Sequence, residues 1–209
     1  MKNLYYIAIE GVIGVGKTSL AKLLADSLSA KLILEKFENN PFLEEFYREP
    51  ERYAFQTQLF FLLERYKQQQ ELKQVDIFHK LLISDYMFEK DKLFANLNLG
   101  EKELGLYEKI ETLLEKQVPS PDLVIYLQSD INNLMDNISN RARPYEENIS
   151  VEYLQSLRKI YNEFFFHYEK CPVLIINTNE IDFVKNEEDL EKLIKIVRQP
   201  ISGTVYYNP

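Results

Sequence analysis

Residues Gly11, Val12, Ile13, Gly14, Val15, Gly16, Lys17 and Thr18 follow the pattern G-x-x-x-x-G-K-[ST], with an apolar run before them and an amphipathic segment after them. Glycines at these intervals let backbone N–H groups converge on a phosphate, and the start of the following helix adds partial positive charge. Lys17 would neutralise the outer phosphates of a nucleoside triphosphate, and the Thr18 hydroxyl is a ligand for magnesium. A Gly-rich turn with no ligand is the competing reading, and both flanks weigh against it. Three further groups have types suited to phosphoryl transfer. Glu35 follows the apolar run 31–34 and is a candidate acceptor of a hydroxyl proton. Asp85 follows 81–84 and is a candidate magnesium ligand, directly or through water. Arg141 and Arg143, separated by one residue, could stabilise charge on a transferred phosphoryl group. Taken singly, each has a plainer reading: a surface Glu, a strand-end Asp, two arginines capping a helix.

For these side chains to meet, their segments must end at one edge of one sheet. Residues 5–9 form a buried first strand and 17–28 a helix with Leu20, Leu23, Leu24 and Leu28 on its apolar face. The run 31–34 is a short second strand, and 81–83, 123–127 and 173–176 are three more apolar runs suited to a parallel sheet. Helical patterns occupy 41–49, 53–72, 100–117 and 150–169, with Pro50 marking a break. The pattern predicts an α/β fold of the P-loop NTPase type. It is a doubly wound, five-stranded parallel sheet flanked by helices, with a long helical insertion before the third strand and an Arg-containing lid after the fourth. Residues 1–198 read as a single domain. Pro200, Gly203 and Pro209 make 199–209 read as an irregular tail.

Composition narrows the partners. Against 25 basic residues stand 33 acidic ones, a net charge of −8, which argues against general electrostatic affinity for nucleic-acid polymers or anionic membranes. The single cysteine, Cys171, leaves no intrachain disulfide, and His79 and His167 show no metal-ligand spacing with it. With neither a signal peptide nor a spanning apolar run, the expected location is the cytoplasm.

Over nearly its whole length the chain resembles the deoxynucleoside kinase family, especially its bacterial purine branch. Beyond the phosphate loop, the resemblance is carried by the ordered stretch from Glu35 through Asn39, Asn40, Pro41 and Tyr47, continuing through Pro50, Arg52, Phe55 and Gln56. It implies ATP and magnesium at Gly11 to Thr18, a deoxynucleoside acceptor, and Glu35 as general base on its 5′-hydroxyl. It further implies Gln56 reading the base edge, Tyr47 and Glu152 holding the 3′-hydroxyl, and a homodimer. Phe94 is the preferred base-stacking ring among Phe55, Phe60, Phe61 and Phe94, though aromatic residues at helical spacing are as readily core. In much of the family an arginine follows the carboxylate after the third strand, where this chain has Tyr86. That shifts the expected charge stabilisation onto Lys17, Arg141 and Arg143, with Arg52 and Arg65 as candidate replacements.

The expected reaction is therefore ATP-dependent phosphorylation of a deoxynucleoside, a purine one by resemblance, giving the 5′-monophosphate and ADP in nucleotide salvage. Two alternatives stand beside it. A nucleoside monophosphate kinase of the thymidylate kinase kind has a similar sheet and lid, but its phosphorylated acceptor needs extra basic residues, and 35–49 is acidic. A nucleotide-binding regulatory subunit with weak catalysis is motivated by Tyr86 alone.

Overall fold

The computed structural model describes residues 5–72 and 80–209, which places His79 outside the described residues. β1 (Tyr5–Gly11) is an apolar strand with neighbours on both sides. α1 (Lys17–Leu28) follows the loop and packs Leu20, Ala21 and Leu24 into the core. β2 (Lys31–Ile33), β3 (Leu81–Ser84), β4 (Leu123–Gln128) and β5 (Val173–Asn177) complete the five expected strands, all parallel. Their near-continuous Val, Ile and Leu runs suit strands buried on both faces.

The sheet has six strands, not five, in the order β2-β3-β1-β4-β5-β6. β6 (Thr204–Tyr207) lies in the stretch expected to be irregular and pairs parallel with β5, from Val173 opposite Thr204 to Ile176 opposite Tyr207. Gly203, at φ 64°, turns the chain into register, and its carbonyl accepts from the Val173 N–H at 2.9 Å. The β-branched and aromatic run Thr-Val-Tyr-Tyr favours a strand, and the proline and glycine around it are its boundaries.

Between β2 and β3 the chain builds a helical layer. A single 3-10 turn (Phe37–Asn39) leads to α2 (Leu43–Arg48) and then to α3 (Pro50–Leu72). Pro50 opens α3 instead of standing outside it, because the first helical turn needs no N–H from that residue. After β3 come α4 (Lys90–Asn98), which hydrophobic periodicity did not single out, and α5 (Glu101–Glu115). Phe46, Ala54, Leu62, Phe88, Ala95 and Tyr107 form a second, smaller core among these helices. α6 (Ile131–Arg141) follows β4, α7 (Val151–Phe166) packs Leu154, Leu157, Tyr161 and Phe165 into the main core, and α8 (Glu187–Val197) precedes β6. Asp130, Ser150 and Asn186 are side-chain N-caps of these three helices. The helical layer thus overhangs the edge where β1, β2 and β3 end, which is where doubly wound sheets bind ligands.

Candidate functional site

The loop after β1 takes its shape from its glycines. Gly14 and Gly16 have φ values of 88° and 98°, which a residue with a Cβ adopts only under strain. A Cβ on Gly14 would stand 2.7 Å from the Leu134 carbonyl oxygen of α6, so the close approach of loop and helix also requires glycine. Asn137 of α6 donates to the Gly14 carbonyl at 2.9 Å. The Lys17 ammonium donates to the Gly11 and Val12 carbonyls at 2.7 and 3.0 Å. Burial and the neighbouring Lys90 charge pull the Lys17 pKa down to about 8, although Glu10, Glu35 and Asp85 favour its charged form. An open groove over the loop is walled by Asn133, Asn137 and Arg141 on one side and by Asn179, Asp182 and Phe183 on the other.

At the inner end of the loop, Thr18 Oγ1 donates to Asp85 Oδ2 at 2.5 Å, and Asp85 Oδ1 accepts the Glu35 N–H at 2.8 Å. Asp85 therefore ties together the loop and the end of β2. Two hard oxygen donors side by side suit magnesium, which takes most of its remaining ligands from water and phosphate. Among the described residues no group of three or more His, Cys, Asp or Glu could hold a metal by itself.

A pocket opens beside Asp85, lined by Lys17, Glu35, Tyr47, Gln58, Phe94 and Arg141 among others. Glu35 stands in this pocket with one oxygen paired to Arg65 and the other to Lys90. Burial opposes its charge, but these two cations more than offset it and hold the carboxyl well below the usual carboxylate range. Arg65 is itself almost fully buried and reaches Asp91 of α4 as well as Glu35. Arg141 makes a two-point contact with the buried Glu146, at 2.6 and 2.7 Å. Arg143 approaches Glu146 at 3.4 Å and lies over the Phe37 ring at 4.1 Å.

The structure brings together Lys17, Thr18, Glu35, Tyr47, Asp85, Phe94, Arg141 and Arg143 around this pocket. It leaves out two expected residues. Gln56 is exposed, because it lies on the opposite face of α3 from Ala54, Thr57 and Gln58. Gln58 is 2% exposed, lines the pocket, and its Oε1 finds no partner in the protein. Glu152 is exposed in the first turn of α7, whereas Glu146, six residues earlier in the lid, lines the pocket near Tyr47. Burial, with the neighbouring Tyr153 and Glu146, raises the Tyr47 pKa well above its ordinary value, so its hydroxyl is a donor. The Tyr47 ring stacks on Tyr145 at 5.9 Å.

Of the four phenylalanines considered for stacking, Phe61 and Phe94 line the pocket, and Phe55 packs against the second core. Of the two arginines offered in place of the one missing at position 86, Arg52 pairs at the surface with Glu49, whereas Arg65 reaches Glu35 inside the pocket. Tyr86 is fully buried and lies outside the lining. The sequence reading thus missed Gln58, Lys90, Asp91 and Glu146. A signal for Gln58 existed: it precedes Arg65 by seven residues, two helical turns, and so shares its face of α3.

Residues 7–202 match the family model described as deoxynucleoside kinase. The chain is 35% identical over 208 residues to a deoxyguanosine kinase of Bacillus subtilis (strain 168), covering 96% of this chain and all of that one. It is 30% identical to a deoxyadenosine/deoxycytidine kinase of the same organism, covering 90% and 89% of the two chains. Among solved structures, a deoxyadenosine kinase from M. mycoides with the products dCMP and a flexible dCDP superimposes with a TM-score of 0.81. That match is at 25% identity and covers 92% of this chain and 98% of the other.

Proposed function

The chain belongs to the deoxynucleoside kinase family, and on that premise we propose that it transfers the γ-phosphoryl group of ATP to the 5′-hydroxyl of a purine deoxynucleoside, as a salvage step in the cytoplasm. Phosphorylation of a deoxynucleoside is the activity of the family; the donor, the base and the residue roles are our reading. The observation that carries it is Glu35, an ionised carboxylate in a pocket that also presents Lys17 and Thr18 of the phosphate loop.

In this reading the triphosphate lies along the groove over Gly11 to Thr18 and the deoxynucleoside fills the pocket. Gln58 offers its amide to the base edge, Phe94 and Phe61 flank the ring, and Tyr47 with Glu146 holds the 3′-hydroxyl. Thr18 and Asp85 would hold magnesium, which when bound neutralises charge on the phosphate oxygens. Glu35 takes the 5′-hydroxyl proton as the oxygen attacks phosphorus in line, the bond to ADP breaks, and the proton then passes to solvent. Lys17, Arg141 and Arg143 supply positive charge around the transferred group, so that catalysis rests on positioning and electrostatics.

A neutral acceptor fits better than a monophosphate. The cations beside Glu35 already have partners: Arg65 holds Glu35 and Asp91, and Lys90 holds Glu35. A phosphorylated acceptor would have to displace one of these pairs.

The test is ADP release from ATP-magnesium with purified protein against the four deoxynucleosides, their ribonucleosides and their monophosphates. Turnover on deoxyguanosine or deoxyadenosine is expected. Replacing Glu35 with Gln should lower kcat by about 100-fold or more with little change in nucleoside affinity. Turnover on monophosphates alone would move the chain to the nucleotide kinases. ATP binding without turnover on any acceptor would favour a regulatory protein.

A further inference from the structure

Lys90 is the cation of the pocket that no sequence motif pointed to. It is the first residue of α4, its side chain is 8% exposed, and its ammonium meets the Glu35 oxygen that Arg65 leaves free. The two cations therefore grip different oxygens and together define the plane of the carboxylate. They are not equivalent. Arg65 is shared between two carboxylates, Glu35 and Asp91, and is locked in place by both. Lys90 has Glu35 as its one ion-pair partner among the described residues, with the Phe94 ring 5.8 Å away.

The backbone carrying Lys90 is itself fixed. Its N–H donates to the Met87 carbonyl at 3.2 Å, and the Met87 N–H donates to Glu10 Oε1 at 2.8 Å. Glu10 is fully buried on β1, one residue before the phosphate loop. Burial raises its pKa, opposed by the charges of Lys90 and Lys17. Lys90 is also the second cause, after burial, of the lowered Lys17 pKa. Its charge thus acts on both Glu35 and the phosphate-loop lysine, with Glu10, Glu35 and Asp85 as the anions facing this cluster.

We propose that Lys90 is a positioning residue for phosphoryl transfer, fixing the second oxygen of Glu35 so that the first is aimed at the acceptor hydroxyl. It fills a place that Tyr86, buried and outside the pocket, leaves without charge. Lys90 keeps its own proton throughout. The hydroxyl proton goes to Glu35 while the new oxygen–phosphorus bond forms and ADP departs. The inference rests on the reading of Glu35 as general base.

A double-mutant cycle tests both without confusing them. Lys90→Met, which keeps length and removes charge, is expected to lower kcat about 10- to 100-fold while the deoxynucleoside KM stays within about three-fold. Because Lys90 acts through Glu35, the Glu35→Gln/Lys90→Met double variant should fall within about three-fold of Glu35→Gln alone. Should Lys90→Met fail to give a cooperative thermal transition, Lys90→Ala, which likewise cannot donate to Glu35, takes its place in the cycle with the same expectation. Losses that multiply, a loss confined to KM, or turnover within about three-fold of the parent would overturn the role of Lys90. Near-normal turnover of Glu35→Gln itself would overturn the base assignment and this inference with it.

Discussion

A buried amide oxygen with no protein partner costs free energy unless something polar reaches it, and Oε1 of Gln58, on a residue that lines the pocket, is such an oxygen. If the base edge makes that bond, Gln58→Ala should lower kcat/KM for the preferred deoxynucleoside about 10- to 100-fold. Gln56→Ala, on the solvent face of α3, should leave it within about two-fold. Equal effects from the two variants would return the role to Gln56. Lys17 gives a second prediction at this scale. Its folded pKa of about 8 lies below the ordinary lysine value of 10.5, so holding it charged costs stability at neutral pH. That cost is full below about 8 and fades as pH rises toward 10.5, where the unfolded chain also loses the proton. Lys17→Met should therefore abolish turnover yet melt higher than the parent at pH 7, with the gap closing by about pH 10.5. A variant that melts lower at pH 7 would show that the carbonyl contacts of Lys17 outweigh its burial.

Among the elements, α3 and α4 decide what the pocket contains. α3 carries Gln58 and Arg65 two turns apart on one face, and α4 presents Lys90 and Asp91 in its first turn, so both helices converge on Glu35. β6 lies away from the pocket and covers the outer edge of β5, where Tyr207 packs against the main core. An edge strand of four residues contributes modestly. Ending the chain before Thr204 should cost about 2 kcal/mol, or roughly 4–8 °C in Tm, read by calorimetry. An unchanged Tm would mean that this strand adds nothing to the stability of the sheet.

For the molecule as a whole, the phosphate loop, Glu35 and the pocket beside them are all furnished by one chain. A homodimer, which the family resemblance implies, would then have a structural role. Leu63 on α3 and Leu106 and Leu113 on α5 are exposed by 48%, 51% and 65%, which is more apolar surface than these helices need show to water. If subunits meet there, Leu106→Glu with Leu113→Glu should convert a dimer into a monomer by light scattering while leaving kcat nearly unchanged. A dimer that survives both charges would put the contact elsewhere. No helix among the described residues is long and apolar enough to cross a membrane.

The order of elements was legible because each states itself locally: the phosphate loop by its glycines, the central strands by unbroken apolar runs, and α1 and α7 by their apolar faces. Glu35 and Asp85 were legible for a related reason, since each follows a strand whose end fixes its place at one sheet edge, and Arg141 and Arg143 because they mark the end of the helix that follows β4. β6 was hidden because Pro200 and Gly203 read as loop when its partner β5 is not seen. That Gln58 and not Gln56 lines the pocket depends on side-chain direction, which turns by about 100° per helical residue, and that Glu146 and not Glu152 lines it depends on how the lid before α7 packs. Lys90 was the least legible. Its pairing with Glu35 joins residues 55 apart in sequence, on elements that only the packed helical layer brings together, so the tertiary structure alone decided it.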